Sequence, residues 1–261
     1  MEAEGKPEQI ELNKKTAELS QMEVQLAQSE LDLATLSGSL RSFEARYLKI
    51  VGVLIAELDD IEAQILEAEM QQHSNDEQLK EKATEARAKA RDSAEGIDDI
   101  ENETEETFKP TEEIKGLYRK VAKLIHPDLS NSEEQRDLRE QLMTEANLAY
   151  QRGDENRLQE IMNEWESSPE TVEGEGIAAE LVRIIRKIAQ ITRRLQNIES
   201  EIALITASDL HKLYARAQDA ASQGRDLIAE MAEQMKREIS KAKKRLRYII
   251  LDKILGDDSE S

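Results

Sequence analysis

Leu12, Leu19, Leu26, Leu33, Leu40, Tyr47, Leu54, Ile61 and Ala68 recur every seven residues, separated mostly by polar side chains. Before residue 40 a second apolar position follows three residues later, as at Met22 and Leu36; beyond it the step is four, as at Val51, Leu58 and Ile65. Steps of three and four hold one stripe on one side of a helix, the pattern of a coiled coil. An N-terminal coiled coil is expected over residues 8–93. Its seam shifts at "LSGSL", where Gly38 sits between two serines. That stretch predicts a kink in a nearly continuous helix, with a hairpin turn as the alternative. The segment "DEQLKEKATEARAKARDS", residues 76–93, is helix-prone with almost no apolar face. A solvated extension is expected there.

The second long stripe is regular. Ile177, Leu181, Ile184, Ile188, Ile191, Leu195, Ile198, Ile202 and Ile205 alternate steps of four and three. "TASD", residues 206–209, interrupts it, and Ser208 or Asp209 is placed to cap a new helix. Leu210, Leu213, Ala217, Ala220, Leu227, Met231 and Met235 resume the stripe toward Ile254. Residues 177–255 thus form a second coiled coil. Such stripes must be covered, either by each other or by a second copy of the chain. An acidic linker at 94–110 and the Ser-, Pro- and Gly-bearing linker 167–176 bracket a helical module at 111–166. The fold class is all-α: long coiled-coil helices flanking a small helical module.

Composition agrees. Charged residues are 35% of the 261 and aromatics 3%, a balance that long helices use and thick aromatic cores do not. There are no cysteines, which removes disulfides and thiolate metal sites. "MEAEGKPEQIEL" has neither the basic nor the apolar part of a secretory leader, and no run approaches eighteen apolar residues. A cytoplasmic location is the expectation. The net charge of −20 is uneven: residues 1–110 carry 12 Lys and Arg against 27 Asp and Glu, residues 171–261 carry 16 against 15. The acidic half would repel nucleic acid, and it suits a basic helix beside it.

The chemistry lies in the middle module. Thr111 is placed to cap a helix whose first turn holds Glu112 and Glu113, where the helix dipole favours them. Ile114, Leu117, Tyr118, Val121, Leu124 and Ile125 share one face; Lys115, Arg119 and Lys123 fall at steps of four on another, with Lys120 beside them. The helix must stop at His126, since a residue before proline is pushed out of the α region. Ser132-Glu133-Glu134-Gln135 starts the next helix with capping-box spacing, and Leu138, Leu142, Ala146 and Ala149 form its inner face.

Two helices joined by a His126-Pro127-Asp128 loop resemble the J-domain, the part of DnaJ-type co-chaperones that activates DnaK-type ATPase chaperones. "LYRKVAKLIHPDLS" is similar to that family's second helix and signature loop, and "LMTEANLAYQRGD" to its third helix. The resemblance covers about 45 of the 261 residues. It implies a protein–protein mechanism with no bond-making by this chain. The basic face of Lys115, Arg119, Lys120 and Lys123 would dock on an acidic surface of the chaperone's ATPase domain, and the loop would promote ATP hydrolysis. The residue types suit such docking. Charges steer and set register, Pro127 limits the entropy lost on binding, and Asp128 and His126 offer hydrogen-bonding groups. Tyr118 stands at the edge of the apolar face, where an aromatic contact with the partner and core packing are both open.

This chain departs from the family in two respects. The short first helix is expected to be absent or altered, since residues 95–108 offer only Ile97, Ile100 and Phe108. "DENRLQEIMNEW", with Leu158, Ile161, Met162 and Trp165 on one face and Asp154 as cap, is expected to cover the core in its place. No Gly/Phe-rich segment, zinc module or β-rich client domain follows, so the arms are expected to target or oligomerise the protein.

Other chemistries find little purchase. His126 has no nucleophile or second histidine near it, and His73 and His211 stand among polar residues. No glycine loop for phosphate and no metal-ligand spacing appears, so neither catalysis, cofactor nor metal is expected. Seven basic residues between Lys236 and Arg247 could touch lipid or nucleic acid, but pairing with the acidic N-terminal helix or plain solvation is favoured. The leading expectation is a co-chaperone that stimulates a DnaK-type partner. The alternative is a coiled-coil scaffold whose J-like module no longer stimulates.

Overall fold

The computed structural model describes residues 7–72, 76–98, 108–130, 133–166 and 176–257. His73, Ser132 and most of the two linkers, 94–110 and 167–176, lie outside them. Among the described residues every element is helical and there is no strand, in agreement with the all-α expectation. The elements are α1 (Pro7–Tyr47), α2 (Val53–Gln72), α3 (Glu77–Asp98), α4 (Glu112–Ile125), α5 (Glu133–Gln151), α6 (Glu155–Glu166), α7 (Ile177–Ala207), α8 (Asp209–Ser222) and α9 (Leu227–Asp257). Among the described residues no helix is long and apolar enough to cross a membrane. The chain divides into two compact units, Met1–Leu40 with Glu106–His211 and Arg41–Glu105 with Lys212–Ser261.

In the first unit α4, α5 and α6 enclose the main core. Tyr118, Val121, Ile125, Tyr150, Leu158 and Ile161 are all fully buried there. Each such apolar side chain contributes about 1.5–3 kcal/mol relative to its exposed state. Local signals set the helix starts as expected: Thr111 Oγ1 accepts from the Ile114 amide at 3.2 Å, and Asp154 Oδ1 from the Arg157 amide at 2.9 Å. The helix α6 covers the core as its apolar spacing predicts, and α1 adds Ala27, Leu31 and Ala34 to the same cluster. A second cluster joins Leu26 of α1 to Ile191 and Ile198 of α7, so these parts of the two stripes are covered within the chain.

Gly38 does not break the chain. The helix α1 runs through it to Tyr47, which excludes the hairpin, and a π turn follows at Leu48–Gly52, which contains Val51 of the shifted seam. One extra residue in a helical turn rotates the apolar stripe. Gly38 serves packing instead: a Cβ there would lie 2.8 Å from Cε1 of the Phe108 ring, whose face-to-edge partner is Tyr150 at 5.5 Å between centroids. Gly38→Ala should gain about 1 kcal/mol of helix propensity and lose about 2 kcal/mol to overpacking. A net loss of about 1 kcal/mol in urea unfolding is expected.

In the second unit α3 is not the solvated extension its sequence suggested. It folds back antiparallel on α2, burying Ala83 and Ala90. Arg87 bridges Asp60 and Glu67, and the buried Asp59 accepts from Lys89 at 2.8 Å and Ser93 at 2.7 Å. Alanine faces and ion pairs replace the larger apolar residues used elsewhere. The helix α9 sets Ile239 against Ile61 and Ile65. Its basic stretch pairs partly with α2, Lys243 with Glu57 at 2.6 Å and Arg245 with Glu69 at 2.7 Å. The expected run from Leu210 to Ile254 is broken after Ser222, where Gly224 takes φ 74° in a turn. Ser208 caps α8 through the His211 amide at 3.1 Å.

Candidate functional site: the His-Pro-Asp turn

The site is built where α4 ends. His126 adopts φ −57°, ψ 129°, outside the helical region as a residue before proline must be, and Pro127–Leu129 form one 3-10 turn leading toward α5. The Asp128 amide donates to His126 Nδ1 at 3.2 Å, so Nδ1 is the acceptor and Nε2 carries the proton. That proton is directed at Oε1 of Glu30 on α1, 2.9 Å away. Arg194 of α7 donates to the same carboxylate through Nε at 2.7 Å and Nη2 at 3.0 Å, and through Nη1 to Glu201 at 2.7 Å.

His126 is 2% exposed and Glu30 5%. Burial pushes the Glu30 carboxyl up, but hydrogen bonds from His126 and Arg194 together with the guanidinium charge outweigh it and hold the group below its ordinary range. Leu129 closes the arrangement, buried in the cluster of Leu26, Ile191 and Ile198. The turn is thus fastened to α1 and α7 by one hydrogen-bonded histidine and one leucine.

The basic residues divide. Lys120 and Lys123 are exposed, while Arg119 and Lys115 are half-buried. Arg119 Nη1 donates to Gln28 Oε1 on α1 at 3.1 Å, and Lys123 Nζ lies 3.9 Å from Glu23 Oε2, also on α1. Lys115 pairs within α4 with Glu112 at 2.8 Å. Pro127 and Asp128 are half-exposed. Of the two roles open to Tyr118, the structure takes core packing: the side chain is fully buried, its hydroxyl donates to Asn147 Oδ1 at 2.5 Å, and burial pushes its phenol well up.

Three residues that hold the turn in place carry no local sequence signal. Glu30 and Arg194 flank the apolar stripes of separate helices, and only tertiary folding joins them. Arg139 of α5 is buried, donates to the carbonyls of Leu124 and His126 at 3.1 and 3.2 Å, and stacks its guanidinium 4.3 Å from the Trp165 ring centroid. It ties the end of α4 to α5 by bonding carbonyls there, that of His126 also accepting from the Leu129 amide at 3.0 Å.

The chain matches no family model, no curated protein and no solved structure.

Proposed function

We propose that the protein is a cytoplasmic co-chaperone that docks on the ATPase domain of a DnaK-type chaperone and stimulates its ATP hydrolysis. The observation that supports this reading is a basic helix running directly into a 3-10 turn, Pro127–Leu129, capped by His126, with Lys120 and Lys123 exposed along the helix. Exposed charges of one sign on a rigid helix steer an acidic partner and fix its register. Pro127 holds the turn in one shape before binding, and Asp128 is accessible as a charged acceptor. No step forms or breaks a bond on this chain.

A second reading has its own observation. Because His126 is buried on Glu30, the module would serve as a structural node in a helical scaffold, without action on any ATPase. Single-turnover ATP hydrolysis by a DnaK-type chaperone, with the full chain at saturation, separates the two. The co-chaperone reading expects about a tenfold acceleration, about 1.4 kcal/mol off the barrier, lost in His126→Gln and in Asp128→Asn. No acceleration at any concentration of intact chain would leave the scaffold.

A further inference from the structure

Three of the side chains expected to meet an acidic partner, Arg119, Lys123 and His126, already meet α1. On α1, Glu23 faces Lys123, Gln28 accepts from Arg119 and Glu30 accepts from His126. These three α1 residues lie within eight positions, and their partners on α4 and its turn also lie within eight. The match therefore rests on three separate contacts and not on a single one. Glu23 presents a carboxylate to Lys123 of the rail and Glu30 presents one to His126 of the turn, the same chemistry as the acidic surface of the proposed partner. Only one of the two can occupy the rail at a time, because a histidine with 2% exposure has no room for a second acceptor at Nε2.

We infer that α1 is a built-in competitor for the docking surface: the segment Glu23–Glu30, locked by Arg194, occupies the face of α4 and the turn that the chaperone must engage. This rests on the co-chaperone reading and adds its regulation. The contact is of a kind that can open. Glu23 and Lys123 stand 3.9 Å apart with Lys123 42% exposed, so one end of the interface is a weak, solvated pair. The other end is buried and holds. A partner binds only the open fraction, so its apparent affinity falls by that fraction, while the maximal effect at saturation is unchanged.

The test uses the full chain and two modifications outside the docking set. Glu23→Lys with Glu30→Gln reverses the charge opposite Lys123 and removes the one Arg194 grips, keeping the shape of residue 30. Ser37→Cys with Gln151→Cys places thiols on α1 and α5, which line one cavity of about 420 Å³, in a chain with no cysteine of its own. A cleavable thiol–thiol cross-linker then holds α1 down. Acylation of His126 by diethyl pyrocarbonate, followed by peptide mass spectrometry, reports opening without any chaperone. ATPase stimulation reports docking.

The opened variant should acylate His126 several-fold faster and reach half-maximal stimulation at about one tenth of the wild-type concentration, with the same maximum. The cross-linked variant should stimulate only after the linker is cleaved. Faster acylation with an unchanged half-maximal concentration, or full stimulation by the cross-linked chain, overturns the competitor and leaves the co-chaperone reading standing. Absence of stimulation by wild type and opened variant alike overturns the co-chaperone reading, and the competitor with it.

Discussion

Tyr118→Ala is expected to lower the stability of the first unit by about 4 kcal/mol, within the range for removing a large aromatic side chain from a core. The ring is fully buried and lies 4.7 Å from the Tyr150 ring between centroids. Deleting it opens a void that α4 and α5 cannot close without moving Tyr150, whose hydroxyl is held by Thr35 of α1 at 2.7 Å. It also leaves Asn147 Oδ1 without its donor. Tyr118→Phe keeps the volume and should cost only about 1 kcal/mol, the value of one buried hydrogen bond. Trp165, the single tryptophan, sits in the same cluster at 8% exposure, so its fluorescence follows unfolding of this core in denaturant. Equal losses for Ala and Phe would show that the hydroxyl, not the packing, holds the site.

Glu30→Ala is the second large effect, about 3 kcal/mol. Removing one member of a buried ion pair costs about 3–5 kcal/mol because the remaining charge stays uncompensated. The lower end applies, since Arg194 is 25% exposed at its side chain and can turn toward water and Glu201. His126 cannot turn, and its Nε2 proton would be buried with no acceptor. Acid should imitate the mutation. The Glu30 carboxyl is depressed in the folded state from an ordinary value near 4.5, so its stabilisation is fully present above that value and is lost as pH falls through the lower folded value. The wild type should therefore lose more stability than Glu30→Ala between pH 5 and roughly pH 3. Parallel loss in the two proteins would show that the carboxylate contributes nothing there.

The contrast between what local pattern revealed and what it hid is physical. Thr111, Asp154 and Ser208 were legible because a cap bonds amides two or three residues away, so its signal is local. The stop at His126 was legible because Pro127 acts on its immediate neighbour. The role of α3 was not, because its buried surface is two alanines and its hold on α2 is ionic, a pattern that also reads as a solvated helix. Gly38 read as the point of a kink or a hairpin, yet its lack of a Cβ answers to Phe108, seventy residues along the chain. The site itself divides in the same way. Its turn and rail come from one contiguous stretch, whereas Glu30 and Arg194 stand 164 residues apart on separate helices. A search for chemistry along the chain finds the histidine and misses what holds it.

That hold is the central claim, and the His126 ring reports it directly. Nitrogen-15 correlation spectra of the full chain, with the ring assigned by His126→Gln among the three histidines, should show one fixed tautomer at neutral pH. The proton should sit on Nε2, exchange slowly with water and leave Nδ1 bare, as the bonds to Glu30 and from the Asp128 amide require. A ring that averages both tautomers and exchanges its proton rapidly would mean that the turn is free in solution, and that α1 does not guard it.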